Sequence, residues 1–536
     1  MPRAKFLAPH LAVAPQISPA DLPDLAKQGF KSIICNRPDH EGGSHQSSFA
    51  AIAAAAKAAG LQAVHLPVRP GAFGDREARA FAGHVKNLPQ PILAYCASGN
   101  RAAGLFKMSQ KVATTGNAAP KAPGHGPLAH DIVIIGAGAA GIATAASLKA
   151  RKRGLDIALI DPAESHFYQP GWTLVGAGVF KPEQTKRSMV AQIPKGSRLI
   201  KGAAVAVDPD KRQVRLADGR QIGYSSLVIA TGLKLDWGAI EGLEATLGKN
   251  GVTSNYRYDL APYTWELVKG LKRGHAIFTQ PPMPIKCAGA PQKALYLSGD
   301  HWFRNGALAD IKIDFFNAGA VLFGVKDYVP ALETYIKKYQ ADVRFQHDLT
   351  KIDGPSRRAF FTRKDADGKT STVETTFDMI HVVPPQSAPD WIKTSSLADA
   401  AGWVDVDPAS LRHRSHPGIY ALGDVCNAPN AKTAAAARKQ APVAAHNLLK
   451  DRGHIKGADV AYDGYGSCPL TVERGKVVLA EFGYGGALLP SMPAWLIDGT
   501  KPSKLAWHLK QSGLPPLYWY AMLKGREVLA KPNQAG

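Results

Sequence analysis

The segment Asp131-Ile-Val-Ile-Ile-Gly136-Ala-Gly138-Ala-Ala-Gly141 constrains this chain more than any other. A short apolar run reads as a buried parallel strand, and it leads straight into G-x-G-x-x-G and a helical pattern. Gly136 permits a tight turn, Gly138 lets a pyrophosphate approach the backbone, and Gly141 allows close helix–strand packing. The free N–H groups of the helix start favour an anion. Asp161 ends the next apolar strand, 20 residues past Gly141, where an acid accepts hydrogen bonds from a ribose.

A chain of 536 residues is too long for one core, so at least two domains are expected. The Gly/Pro-rich stretch at residues 113–129 reads as a linker between residues 1–112 and residues 130–536, the last 50 of which (487–536) form a closing segment. Before the linker, Lys31–Cys35, Ala63–Pro67 and Pro91–Tyr95 read as strands; Phe49–Gly60, Arg76–Leu88 and Ala102–Lys111 read as helices. After it, strands are expected at Asp131–Ile135, Ile157–Asp161, Ser226–Ala230, Ala276–Gln280, Ile311–Phe316, Met379–Val383 and Gly418–Leu422. Helices are expected at Gly141–Ala150, Gln292–Trp302 and Tyr328–Tyr339. Both parts are α/β with mainly parallel sheets. No apolar run reaches the roughly 20 residues of a membrane-spanning helix, and Met1 to Gln16 carries no evident secretory signal.

The net charge of +22 suits an anionic surface such as phospholipid headgroups; a diffusely basic solvated surface is the plainer alternative. No nucleic-acid motif or metal-ligand spacing is present, so neither nucleic acid nor metal is expected. The five cysteines, Cys35, Cys96, Cys287, Cys426 and Cys468, are odd in number and widely spaced, unlike a disulfide framework.

Leu227-Val-Ile-Ala230-Thr231-Gly232 resembles the A-T-G segment of two-dinucleotide-domain flavoproteins, and Ile419-Tyr-Ala-Leu-Gly423-Asp424 resembles their terminal G-D segment, whose aspartate holds the flavin ribityl chain. The resemblance implies FAD held by Gly136, Gly138, Gly141, Asp161, Thr231, Gly232, Gly423 and Asp424. Lys432-Thr-Ala-Ala-Ala-Ala-Arg438 reads as a helix start that stabilises charge on the reduced ring, with Lys432 part of the cofactor site; an ordinary alanine-rich core helix is the alternative. Relatives using NADH carry a second Gly-rich fingerprint mid-chain. Here strand His275–Gln280 runs into Pro281-Pro-Met-Pro-Ile-Lys-Cys287, which offers a pyrophosphate no cradle. Lys286 and the helix after it favour a Cys287 thiolate. Cys426 follows Gly423-Asp424 and is expected to converge with Cys287 on the flavin; Cys468 is expected to be structural.

From His130 to Leu529 the chain resembles the mitochondrial type of sulfide:quinone oxidoreductase. Five ordered stretches carry the likeness: Ser165-His-Phe-Tyr-Gln-Pro170 with Trp172-Thr-Leu-Val-Gly-Ala-Gly178, Ile285-Lys-Cys-Ala-Gly-Ala-Pro-Gln-Lys293, Ala401-Gly-Trp-Val-Asp-Val-Asp407, Lys432-Thr-Ala-Ala-Ala436, and Tyr462-Asp-Gly-Tyr-Gly-Ser-Cys-Pro-Leu470. The family mechanism implies that sulfide attacks a sulfur bridge between two cysteines, Cys287 and in this reading Cys426. One cysteine keeps the sulfane sulfur, an acceptor such as glutathione or sulfite removes it, and quinone takes the electrons. Relatives place the second cysteine directly after Gly-Asp, where this chain has Val425. Trp495, Trp507, Tyr518, Trp519 and Tyr520 with Lys501, Lys504, Lys510 and Lys524 read as a membrane-facing segment, or as an aromatic closing helix on the core. A peripheral protein on the cytoplasmic face of a bacterial inner membrane is the expected setting.

In the first part, Pro91-Ile-Leu-Ala-Tyr-Cys96-Ala-Ser-Gly-Asn-Arg101 is a strand, a cysteine, an anion-cradling loop and a helix start. Four residues separate Cys96 from Arg101, the shorter ring of rhodanese-like sulfurtransferases. With Asn36-Arg-Pro-Asp39 and Glu41, residues Pro15 to about Lys107 resemble a tyrosine-phosphatase-like sulfurtransferase family. That resemblance implies a persulfide on Cys96 beside Arg101; in a phosphatase reading Asp39 is the general acid, and His65 is a packed or surface residue. Two other readings stay open for the whole chain: an NADH:quinone dehydrogenase, and a membrane-bound sulfur carrier or sensor whose flavin is idle.

Overall fold

A computed structural model describes residues 4–39, 41–43, 46–68, 75–114 and 128–534, which fall into two units, Met1–Gly126 and Pro127–Gly536. Most of the expected linker falls outside the described residues; its first two residues close the helix Asn100–Thr114 and its last two open the strand Leu128–Ile135.

The smaller unit is a five-stranded sheet in the order Lys5–Ala8, Leu11–Ala14, Ile92–Tyr95, Ser32–Cys35, Gln62–His65. The first two strands are antiparallel, a hairpin the sequence reading did not anticipate, and the other pairings are parallel. Ser32–Cys35 and Ile92–Tyr95 are buried along their whole length, as parallel strands covered on both faces must be. Helices Leu22–Lys27, Phe49–Ala58, Asp75–Asn87 and Asn100–Thr114 cover them. Cys96 and Arg101 sit where strand Ile92–Tyr95 gives way to helix Asn100–Thr114.

The larger unit carries two parallel-type sheets. One runs Ser197–Lys201, Ile157–Asp161, Leu128–Ile135, Gln221–Ile229, Gln213–Leu216, Ala204–Asp208, with Ile419–Ala421 also parallel to Gln221–Ile229. The other runs Val252–Thr253, Met379–His381, Gly274–Gln280, Ile311–Asn317, Ala341–Phe345. The expected strands and helices of this part are all present. Helices Ala139–Arg151 and Ala434–Asp451 pack together over the first sheet around Ile134, Leu148, Leu159 and Leu448. Helix Ala290–Arg304 follows the second sheet's central strand and packs on the hairpin Gly466–Glu473/Lys476–Phe482. Ligand sites in such folds form beyond the carboxyl ends of the parallel strands. Here those ends bring together the turn at Gly136, the Ala230–Gly232 segment, the loop before helix Ala290–Arg304 and the Gly423–Asp424 turn. No helix among the described residues is long and apolar enough to cross a membrane.

Candidate active site

A cavity of about 490 Å³ opens at these strand ends, lined by Gly136, Gly138, Asp161, Thr231, Gly232, Gly423, Asp424 and Lys432 among others. The turn after the first strand admits no side chain: Gly136 has φ +101°, and a Cβ there would lie 2.4 Å from the Ala230 carbonyl oxygen. A Cβ on Gly141 would meet the Gly136 carbonyl oxygen at 1.8 Å, which is why the helix packs so close. Gly138 faces open space, leaving its backbone bare toward the cavity and the helix start free for an anion. The Asp161 carboxylate accepts from Ala137 N (2.7 Å) and Ala163 N (2.8 Å), holding the turn while lining the cavity. Burial raises the pKa of Asp424 against the opposing pull of Lys286 and Lys432. A glycine cradle, an acid at the second strand end and a buried carboxyl on the far turn fit a flavin dinucleotide.

The Lys432 ammonium donates to the carbonyls of Asp424 (2.7 Å) and Cys426 (2.9 Å) and sits 3.9 Å over the Trp403 ring. It therefore braces the Gly423–Asp424 turn. Thr433 begins the next helix by accepting from Ala436 N.

Cys287 is fixed by its backbone. Its N–H donates to the Lys432 carbonyl (2.8 Å), its own carbonyl accepts from Ala290 N (2.7 Å), and it holds φ +53°, rare for a residue with a Cβ. Its sulfur lies 3.5 Å from that of Cys468, and the Lys293 ammonium, on the first turn of helix Ala290–Arg304, donates to it at 3.1 Å. A Cβ on Gly289 would come 2.6 Å from the Cys468 sulfur, so glycine at this position makes room for the pair. Cys287 is pulled well below the ordinary thiol range by the hydrogen bond from Cys468, and Lys293 outweighs much of the cost of burial. Cys468 keeps the remaining proton and is raised by the same contact and by burial. Two thiols in contact titrate as one unit, and this unit gives up its first proton readily. Burial opposes charge on Lys293, but the two thiols hold it protonated. Lys510, buried and donating to the Pro170 carbonyl (2.9 Å), is pushed down to about 7 by burial and by Lys293.

Three expectations are corrected here. Cys426 does not meet Cys287: its thiol points to the Gly423 carbonyl (3.4 Å), it does not line the cavity, and it packs with Val404, Val425 and Ala428 in a separate core. The single-residue displacement past Gly-Asp, with Val425 in between, aims its side chain away. Burial raises its pKa. Cys468, expected to be structural, is the partner instead. The signal was present, since Cys468 lies inside Tyr462–Leu470, one of the five matching stretches. Lys286, expected to favour the thiolate, donates to Gln169 Oε1 (2.6 Å); Lys293 makes the contact with sulfur.

The closing segment is divided. Trp507, Tyr518, Trp519 and Lys510 are buried, the Tyr518 hydroxyl contacting His166 Nε2 (2.6 Å), while Trp495 is 84% exposed and Leu496, Leu505 and Tyr520 are exposed too. The aromatic run is thus a closing element on the core with an apolar edge left outside.

In the smaller unit the Cys96 sulfur accepts from Gly99 N (3.1 Å), and Gly99 at φ +85° makes the loop turn. The Arg101 guanidinium donates to both Glu41 oxygens (3.0 Å each) and to the carbonyls of Asn36 (3.2 Å) and Val68 (2.6 Å). Arg37 Nε also donates to Glu41 (3.0 Å), and the Arg101 hydrogen bond holds Glu41 below the usual carboxylate range. Asp39 accepts from Phe49 N (2.8 Å), so it is engaged at a helix start rather than poised as a general acid. His65 stacks on Phe49 with ring centroids 4.5 Å apart, as a packed residue.

Residues 3–113 match the model of the phosphatase-like domain of beta-lactamase hydrolase-like proteins, and residues 130–263 match that of pyridine nucleotide-disulphide oxidoreductases. The mitochondrial sulfide:quinone oxidoreductase of Dictyostelium discoideum is 42% identical over 401 residues, covering 74% of this chain and 86% of the relative. That of Mus musculus is 38% identical over 399 residues, covering 74% and 87%. The solved sulfide:quinone oxidoreductase of Aquifex aeolicus aligns with a TM-score of 0.61 at 20% identity, over 74% of this chain and 92% of that one, and shares the fold.

Proposed function

The chain belongs to the sulfide:quinone oxidoreductase family, and we propose that it oxidises sulfide at the Cys287–Cys468 pair with FAD and passes the electrons to a quinone. The observation that carries this reading is the sulfur pair itself, 3.5 Å apart with an ammonium 3.1 Å from one member, at the wall of a dinucleotide cavity. FAD would be held by Gly136, Gly138, Gly141, Asp161, Thr231, Gly232, Gly423 and Asp424, with Lys432 bracing the last two. Bound there, it supplies a two-electron carrier beside the sulfurs. In the oxidised enzyme the two cysteines are joined by a sulfur bridge. Hydrosulfide attacks it, one S–S bond forms as another breaks, and one cysteine leaves as a thiolate while the other keeps a persulfide. Lys293 is placed to stabilise that thiolate. The sum is sulfide plus quinone giving sulfane sulfur plus quinol.

The sulfane sulfur leaves to an acceptor such as a low-molecular-weight thiol or sulfite. The smaller unit extends the same chemistry: Cys96, in a loop whose Gly99 N–H donates to its sulfur, takes up sulfane sulfur as a persulfide, with Arg101 fixed beside the loop by Glu41. The engagement of Asp39 at Phe49 favours sulfur transfer over phosphate hydrolysis. The exposed Trp495, Leu496 and Leu505 near exposed Lys501 and Lys504 suit a lipid–water interface and support our reading of a peripheral membrane protein, on the cytoplasmic face in a bacterium.

Anaerobic mixing tests the reading. Sulfide is expected to bleach the flavin absorbance of the wild type, and quinone to restore it. Bleaching by NADH and not by sulfide would establish an NADH:quinone dehydrogenase instead; bleaching by neither would leave a carrier or sensor. Thiosulfate:cyanide transfer against aryl-phosphate hydrolysis, in wild type and Cys96→Ser, decides the smaller unit.

A further inference from the structure

The hairpin Gly466–Glu473/Lys476–Phe482 has two working faces. Side chains alternate across a strand, and here Cys468, Leu470 and Ala480 face the core beneath helix Ala290–Arg304, while Ser467, Pro469, Leu479 and Glu481 face the cavity. The mechanism above uses the first face only. On the second, the buried Glu481 carboxyl meets the Tyr465 hydroxyl at 2.5 Å and accepts from Ser491 N at 3.0 Å; the Ser491 hydroxyl lies 3.1 Å from that of Tyr465. Tyr465 and Glu481 are almost wholly buried and Ser491 is half-buried, so the cluster runs from the cavity wall to its edge. Nearby the cavity is apolar, with Leu479, Leu509, Leu514 and Leu517.

We infer that Tyr465, held and recharged by Glu481, is the proton donor to the quinone; this rests on the quinone-reducing function proposed above. A quinone takes two electrons and two protons to become a quinol. Hydrogen sulfide going to sulfane sulfur releases two of each, so the sum balances, but those protons are freed at the Cys287–Cys468 pair, on the part of the cavity wall where Cys287 sits, and not at the Tyr465 cluster. Protons for the quinone must be supplied beside the quinone oxygens. Tyr465 gives its hydroxyl proton to a quinone oxygen, and the Glu481 carboxylate then takes a proton from solvent at the Ser491 edge and passes it to the phenolate; the second proton follows the same path. Tyr518, also on the cavity wall, is already committed: its hydroxyl is bonded to His166 Nε2, and burial pushes His166 down to about 4, so that ring stays neutral and holds no spare proton to give. Glu481 is faced by Tyr465 from the loop before its partner strand, by Tyr328, whose hydroxyl bonds its backbone, and by Lys439 from helix Ala434–Asp451, while Arg438 of the same helix acts on Tyr465. Burial and the Glu481 charge hold Tyr465 protonated, the form a donor needs.

The test uses full-length, FAD-loaded wild type, Tyr465→Phe and Glu481→Gln. Each is reduced anaerobically with dithionite and mixed with decylubiquinone in a stopped-flow instrument, so the quinone step is read whether or not sulfide donates. Reoxidation is expected to slow by about 10²-fold in Tyr465→Phe, at the lower end for loss of a general acid, and by about tenfold in Glu481→Gln, where the phenol remains but its proton supply is lost. The pH dependence of this step is expected to flatten in Glu481→Gln. Decylubiquinone affinity, read by tryptophan quenching, and the melting midpoint are expected to hold within about twofold and a few degrees. Wild-type reoxidation rates in both variants would overturn the inference, as would slowing matched by lost affinity or lost stability, which marks a wall residue. Sulfide failing to bleach the wild type would sink the donor assignment, with the dithionite arm still deciding this one.

Discussion

Two cysteine sites in one chain solve the same problem with different means. At Cys287 the negative charge on sulfur is balanced by a buried ammonium and a partner thiol, Lys293 at 3.1 Å and Cys468 at 3.5 Å. At Cys96 the sulfur accepts a backbone N–H, from Gly99 at 3.1 Å, and the neighbouring cation, Arg101, is committed to Glu41. A buried ammonium holds a full charge against sulfur where water cannot screen it; a loop of peptide dipoles holds a weaker, directional field. The first arrangement suits a thiolate that must leave from an S–S bond. The second suits a sulfur that receives and releases a neutral sulfur atom. Cys426 is the internal control: buried, within reach of Lys432, yet with neither a partner thiol nor the cavity beside it.

The sharpest way to break that contrast is to remove each sulfur in turn. Cys287→Ala and Cys468→Ala are each expected to slow flavin bleaching by sulfide by at least about 10³-fold, the scale of losing a covalent nucleophile. Cys426→Ala is expected to stay within about threefold, since packing-level changes rarely reach the reacting atoms. Stopped-flow bleaching of the three variants decides it. A Cys426 variant as slow as the other two would restore the pairing first expected from the sequence.

Next in size is the spacing of the pair. In Gly289→Ala the new Cβ would lie 2.6 Å from the Cys468 sulfur and 2.3 Å from Leu470, so the hairpin must move off helix Ala290–Arg304. Overpacking of this kind costs about 1–3 kcal/mol, to be read as a lowered melting midpoint, and the parted sulfurs should bleach with sulfide more slowly. A variant of wild-type stability and rate would mean the pair tolerates wider separation than its geometry implies.

Much of this was legible beforehand for a physical reason. A dinucleotide cradle is built from local sequence: glycines at the turn Gly136–Gly141, an acid at the end of the following strand, a Gly-Asp turn after a later strand. Each motif carries its own constraint, as the clash distances at Gly136 and Gly141 show. The thiol pair is not local. Cys287 and Cys468 are 181 residues apart, and which distant cysteine reaches Cys287 depends on how a hairpin packs on a helix. Nearness in sequence to Gly423-Asp424 favoured Cys426, but side-chain direction is set residue by residue, and Val425 turned that direction away. Lys293 was missed in the same way: Lys286 is adjacent in sequence, whereas Lys293 is brought round by the first turn of helix Ala290–Arg304. The Lys5–Ala8/Leu11–Ala14 hairpin went unread because its antiparallel edge carries no motif.

A smaller effect is expected from the ammonium alone. Lys293→Met removes the charge and leaves the Cys468 hydrogen bond. Cys287, now held below the ordinary thiol range, should rise. A thiolate is present above its pKa and lost as pH falls through it, so the midpoint for alkylation of Cys287 by iodoacetamide moves to higher pH. At pH 7 the rate should fall by about tenfold, one pKa unit of lost interaction. An unmoved midpoint would assign the stabilisation to Cys468 alone.

The smallest effect concerns the other side of the comparison. Glu41→Gln leaves a side chain of the same shape between Arg37 and Arg101 but removes its charge, replacing a charge-assisted fork by a single neutral acceptor. Arg101 keeps the Asn36 and Val68 carbonyls, so it stays near its place with more freedom. Thiosulfate:cyanide transfer through Cys96 should fall by only about threefold, the scale of one weakened hydrogen bond. The wild-type fork should also survive mild acid. Arg101 holds the Glu41 carboxyl below its ordinary pKa, so the fork's contribution is complete above that ordinary value and is lost only as pH falls through the lowered one. Transfer should therefore be flat in pH near neutrality as far as Glu41 is concerned, and sulfide bleaching by the same Glu41→Gln protein should match wild type. A loss of transfer as large as that of Cys96→Ser would show that Arg101 and its fork carry the sulfur site, and that the small unit leans on fixed charge as heavily as the Cys287–Cys468 pair does.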